Sequence, residues 1–167
     1  MAAKSNNTIS LKTADGDIYE ISPVIAKQMK TVQSFIEEES VELSTVIPLP
    51  NVKSVELSKI IEYLNYHYLI EKDSTSSASD DDGKKIFNAD FVKEMSHDQM
   101  KELILAANYL NVKDLLELMC QTVANVIKNK SVEFVREFFD IVNDLTPEEE
   151  EKIRKESQWA FENIDED

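Results

Sequence analysis

The first pattern along the chain is an alternation. In "TISLKTADGDIYEI", Ile9 and Leu11 alternate with polar neighbours, and Ile18, Tyr19 and Ile21 follow beyond "ADGD". Period-two patterning on both sides of turn residues predicts a β-hairpin, with Gly16 free to take positive φ. "SPVIAKQM" then reads as a helix start, Ser22 as N-cap and Pro23 at the first helical position. A second short helix is predicted over "TVQSFIEE". In "VIPLPNV", Pro48 and Pro50 bracket Leu49, which excludes a helix and suits a short edge strand, because proline cannot donate to a ladder.

Helical periods follow. "SVELSKIIEYLNYHYL" is amphipathic, with Ser54 as the expected cap and Val55, Ile60, Ile61 and Leu64 at helical spacing. From Glu71 to Lys85 the tract "EKDSTSSASDDDGKK" has no apolar side chain larger than alanine. By its own composition it offsets little chain entropy, so a flexible acidic loop is expected over 71–85. After "ADFVKEM", the helix "HDQMKELILAANYL" is apolar on almost every side, which predicts a central place in a domain.

The next segment, "NVKDLLELMCQTVANVIKNK", spreads its apolar side chains over roughly 200° of a helical wheel, where one core needs a stripe of about 100°. The surplus either meets a partner or is covered by later helices of the same chain. "SVEFVREFFDIVNDL" shows the same surplus behind Ser131, crowding Phe134, Val135, Phe138, Phe139, Ile141 and Val142 into one short helix. A last helix starts at Thr146, with Pro147 at its first position and Glu149 three residues after the cap. Glu148 to Glu151 fall in its first turns, where the helix dipole favours anions, so they need no catalytic or metal-binding explanation. The only tryptophan, Trp159, comes just after.

Composition narrows the chemistry. The 167 residues suffice for one domain with an appendage, and 42% apolar content supports a core. The formal charge of −15 disfavours nucleic acid and anionic lipid as partners; basic protein surfaces suit it better, although charge by itself points more to solubility than to any partner. No apolar run approaches membrane length, and "MAAKSNNTIS" has no signal-peptide core. With one cysteine, Cys120, no internal disulfide forms, and a reducing compartment is expected. Two glycines, Gly16 and Gly83, cannot build a phosphate-cradling loop. His67 and His97 lie in different segments without ligand spacing, so no metal is expected. "DDD" at Asp80–Asp82 lacks the spacing of a calcium loop. Cys120, on the apolar arc of its helix, reads as a small hydrophobe rather than a nucleophile. No cofactor, small-molecule substrate or catalytic residue is indicated; an acidic, helix-rich binding module is.

"LILAANYLNVKDLLELMCQTVANVIKNK" and "NDLTPEEEEKIRKESQWAFE", with "ADGDIYEI", "IAKQ" and "IPLPNV" in order before them, carry a resemblance. Over about residues 9–162 the sequence resembles the S-phase-kinase-associated (Skp-type) adaptors of cullin-based SCF ubiquitin ligases. The resemblance implies an α+β BTB/POZ fold over residues 1–128, a small sheet flanked by helices, and a two-helix C-terminal extension with an acidic tail over 129–167. It implies no catalysis. It implies a bridge between a cullin and F-box proteins that brings substrates to ubiquitin transfer, in cytoplasm and nucleus. Matched position by position, Asn108 and Tyr109 fall on cullin-facing positions. Leu116, Val123, Ile127 and Trp159 fall on F-box-facing ones.

The sequence departs from the family pattern at Asn129, where glycine is usual, at Phe134 and Glu137, at Ser157 beside the tryptophan, and in "FNADF" near residue 91. These changes bear on which F-box proteins bind. The alternative is a BTB module that assembles with itself or resembles elongin C; the helices over 131–162 argue against the latter.

Overall fold

The computed structural model describes residues 8–38, 46–73, 77–162 and 164. Two compact units divide the chain, Met1–Cys120 and Gln121–Asp167. The division falls inside a helix, before the 128/129 boundary expected from the sequence.

In the first unit the expected hairpin is formed by β1 (Ile9–Thr13) and β2 (Ile18–Ile21), paired antiparallel with Leu11 opposite Tyr19. Gly16 sits in the turn at φ 96°, and Thr13 N–H donates to the Asp17 carbonyl at 2.9 Å across it. Leu11, fully buried, and Ile9 and Thr13 supply the inner face, as the alternation requires. β3 (Val46–Leu49) pairs parallel to β1 on its other side, giving the order β2-β1-β3. Pro48 therefore lies on an edge strand, opposite Lys12.

Helices cover this sheet. In α1 (Pro23–Ala26) the Ser22 hydroxyl accepts Ile25 N–H, as the sequence predicts. α2 spans Lys30–Glu38 and α3 spans Ser54–Asp73. Ser54 is not the N-cap of α3. It is the first helical residue, and Lys53 takes the flanking position. The capping carboxylate comes from Asp15, 39 residues earlier.

The expected loop over 71–85 is corrected to helix wherever it is described: α3 continues through Asp73, and α4 spans Ser77–Lys93. Residues 74–76, and residues 1–7 at the N-terminus, lie outside the described residues. The physical reason lies beyond the polar tract. Tyr63 meets Phe91, Tyr66 stacks on Phe87 at 3.8 Å, and Glu71 pairs with Lys84 at 3.2 Å, so α3 and α4 run antiparallel. His67 Nε2 reaches Asn88 Oδ1 at 3.0 Å. Aromatic packing at the far end of α4 thus supports its polar start.

α5 (His97–Tyr109) opens with a capping box between Ser96 and Gln99. Met100, Leu103, Ala106 and Ala107 are buried together with Leu57, Ile60, Tyr63 and Leu64 of α3. Yet α5 is not enclosed on all sides: Leu105 is 64% exposed. Its C-terminal end is fastened by α2, where the Thr31 hydroxyl donates to the Tyr109 carbonyl at 2.6 Å.

α6 (Lys113–Ile127) crosses into the second unit. It is followed there by α7 (Val132–Phe138), α8 (Pro147–Glu156) and a 3-10 turn at Gln158–Phe161. α7 is shorter than its apolar run suggests. It stops where Asp140 takes φ 55° and Ile141 N–H reaches back to the Arg136 carbonyl at 2.8 Å, a Schellman closure. Ile141 and Val142 consequently lie outside the helix. The architecture is α+β, a BTB/POZ fold with a helical C-terminal extension.

Candidate functional site

The residues singled out by sequence lie in two parts of the chain. The first is the C-terminal half of α5. Asn108 is exposed and Tyr109 is half-buried. At about 100° per residue, Leu105 projects between them, roughly 60° from Asn108 and 40° from Tyr109. The three form one patch of mixed apolar and hydrogen-bonding character, held in register by the Thr31 bond to the Tyr109 carbonyl. Sequence reasoning missed Leu105, because a helix apolar on every side conceals which side is open.

The other residues singled out lie on α6 and on the elements after it, Leu116 in the first unit and Val123, Ile127 and Trp159 in the second. Leu115 and Met119 of α6 are fully buried core residues. Leu116 and Ile127 are half-buried, whereas Val123 is only 7% exposed. All three fall within about 40° on the wheel, being 7 and 11 residues along from Leu116. Cys120, expected on the apolar arc, is exposed. The surplus expected on α6 is not left open, since none of its large apolar side chains is among the exposed ones; beyond it Phe139, Ile141, Val142 and Ile153 are all more than 40% exposed, with Val142 at 84%. Trp159 is 76% exposed, so the described residues leave the ring largely open.

What holds the second unit's last helix is polar. No residue of α8 is buried. Its start is closed by the Thr146–Glu149 capping box, with Pro147 at the first position. Hydrogen bonds from Thr146 hold the Glu149 carboxyl below its usual range. Glu150 accepts from Arg136 of α7 at 3.0 Å and from Asn143 at 2.7 Å, and the Arg136 bond chiefly holds its carboxyl low. Arg154 pairs with Glu133 at 2.9 Å, and its guanidinium lies 5.1 Å from the centre of the Phe161 ring. That last contact steadies the turn carrying Trp159. A small cleft of about 60 Å³ remains between α7 and α8, beside Val132, Leu145 and Ile153.

The departures from the family pattern also find places. Asn129 takes φ 58°, the left-handed conformation in which asparagine can stand for glycine. Phe134 is half-buried, with its backbone N–H on the Ser131 hydroxyl at 3.0 Å, and Glu137 is exposed. Ser157 caps α8 through its own N–H to the Ile153 carbonyl at 2.9 Å.

Among the described residues, no group of three or more histidine, cysteine, aspartate or glutamate side chains is placed to hold a metal. No helix among them is long and apolar enough to cross a membrane.

Two family models match. One, described as Skp1 family, tetramerisation domain, covers residues 7–69; the other, Skp1 family, dimerisation domain, covers residues 113–160. Curated relatives match nearly end to end. SKP1-like protein 1A of Arabidopsis thaliana is 45% identical, over 97% of this chain and 100% of the relative. SKP1-like protein 20 of Oryza sativa subsp. japonica is 41% identical, over 96% and 98%. SKP1-like protein 1 of the same rice is 45% identical, over 97% and 100%.

Proposed function

We propose, from the premise that this chain belongs to the Skp1 family, that it is a non-catalytic adaptor of an SCF-type ubiquitin ligase. In this reading a cullin docks on the α5 patch of Asn108 and Tyr109. An F-box protein docks on Leu116, Val123, Ile127 and Trp159, and substrates are thereby presented for ubiquitination and degradation. The observation that carries the reading is Trp159, a ring left 76% exposed on a turn that ion pairs and a cation–π contact hold in place. A large aromatic kept in water is a characteristic anchor for a partner. The chain is proposed to act in cytoplasm and nucleus, which imaging of a tagged chain tests.

The decisive experiment is co-expression with one F-box domain and one cullin N-terminal domain, separately and together. A ternary complex supports the adaptor reading. Binding to the F-box domain alone turns it into a sequestering protein.

Self-assembly is the second reading, favoured by the words dimerisation and tetramerisation in the family descriptions and by the exposed Ile141 and Val142. A stable oligomer of the isolated chain that binds neither partner supports it and removes the first.

A further inference from the structure

The first unit contains a cleft of about 350 Å³ between α3, α4 and the start of α5. It is not the α5 patch described above: Gln99, on its wall, lies nine residues from Asn108, about 180° away around the helix. The inner wall is apolar, with Phe91 and Leu103 buried and Phe87 and Met95 half-buried. Four carboxylates line it, from Glu56, Glu62, Asp90 and Glu94, against one cation, Lys59. That cation is already committed, since Nζ pairs with Glu62 at 2.9 Å and lies 5.3 Å from the centre of the Phe91 ring.

An independent observation concerns Glu56. Its Oε2 is out of contact with solvent and has no hydrogen-bond partner among the described residues. A carboxylate oxygen in that position has lost its water and gained nothing in exchange. Net lining charge and apolar walls ask for the same complement, a cationic head on a hydrocarbon stem, and the covered Glu56 oxygen adds uncompensated negative charge behind the wall. The volume lies near the lower end of ligand clefts and suits one long side chain with an apolar neighbour. The resident Lys59 shows that a cation is accommodated against the Phe91 ring.

We propose that this cleft receives one arginine or lysine side chain from an extended basic segment of a protein partner. The stem lies against Phe87 and Met95, and the head pairs with Glu56, Asp90 and Glu94. The proposal does not depend on the cullin or F-box reading.

The test is an NMR titration of the ¹⁵N-labelled full chain with the blocked peptide Ala-Leu-Arg-Leu-Ala. A matched peptide carries citrulline, the neutral isostere, in place of arginine. Salt is held near 150 mM, where the screening length is roughly 8 Å. The expected result is a saturable shift confined to Val55–Lys59, Phe87–Met95 and Gln99, with citrulline about tenfold weaker or worse. Glu56→Gln weakens the arginine peptide about fivefold or more, and Asp90→Asn, on an exposed residue, provides the same reading should Glu56→Gln disturb the fold. Three results overturn the proposal. One is equal binding of the citrulline peptide. Another is shifts spread over the acidic surface, including Glu148–Glu151. The last is no saturable shift at millimolar peptide.

Discussion

The carboxylate of Asp15, in the hairpin turn, accepts the backbone N–H of Ser54 at 3.0 Å, and the Ser54 hydroxyl donates to the same group. The turn of the sheet thereby caps the longest helix of the first unit. Hydrogen bonds from Ser54, first from its hydroxyl, lower the Asp15 carboxyl from 3.8 to about 2. A carboxyl depressed in the folded state contributes stability above its unfolded value, and that stability fades as pH falls from about 4 through about 2. Asp15→Asn keeps an acceptor but cannot titrate. Thermal melts across this range are expected to show wild type losing its advantage over Asp15→Asn as the acid is added. Parallel curves for the two chains would exclude the cap.

Trp159→Ala is expected to leave the melting temperature within about 2 °C of wild type, because an exposed side chain carries little of the fold. Binding to an F-box domain should weaken by roughly 30-fold, the scale of a 2 kcal/mol hot spot. As the sole tryptophan, its fluorescence reports this directly: a solvent-exposed emission in the free chain should shift to the blue on F-box addition. An unshifted emission in a formed complex would place the ring outside the interface.

Val123 needs a different variant from its neighbours. At 7% exposure, Val123→Asp puts an unpaired charge into a covered position and is expected to cost about 3 kcal/mol or more of stability. Lost F-box binding in that variant would report unfolding rather than contact. Leu116→Ala and Ile127→Ala, at half-buried positions, are expected to weaken F-box binding with smaller losses in denaturant midpoint. If they melt as early as Val123→Asp, α6 offers no separable binding face.

The contrast between Val123 and its neighbours marks where the sequence stopped being legible. The wheel placed Leu116, Val123 and Ile127 on one side correctly, since that follows from the helical repeat alone. Which of them is covered depends on what packs there, and the repeat is silent on that. Caps made by near neighbours, Ser22, Ser131 and Thr146, were readable because cap and helix lie within a few residues. The cap on α3 was not, since its carboxylate comes from 39 residues away. The tract over 71–85 misled for the same reason. Its own residues lack apolar side chains, and the aromatic contacts that support its helices, Tyr63 with Phe91 and Tyr66 with Phe87, are made outside it.

Asn129 offers a test of one departure from the family pattern. At φ 58° any residue with a Cβ is strained, asparagine least. Asn129→Gly should gain up to about 1 kcal/mol of stability, and Asn129→Val should lose about 1–2 kcal/mol. Urea denaturation measures both. A valine variant as stable as wild type would show that the chain leaves α6 by another route in solution.

The α5 patch should separate cullin binding from F-box binding. Leu105 is exposed, Asn108 stands free of the core, and the Tyr109 backbone is fixed by Thr31, so side-chain truncation here leaves the helix anchored. Leu105→Ala and Tyr109→Ala are each expected to weaken a cullin N-terminal domain by about tenfold or more, with F-box affinity unchanged. Asn108→Ala removes only a polar contact and should matter less. Thr31→Val supplies the control: it deletes the hydroxyl bond to the Tyr109 carbonyl, leaves the backbone bond from Thr31 N–H to the Leu110 carbonyl, and does not touch the patch. Calorimetry with each partner, alongside circular dichroism, distinguishes the cases. Loss of both partners together, with falling helicity, would mean that Leu105 and Tyr109 hold the fold; loss of the cullin alone, with helicity intact, assigns them to its interface.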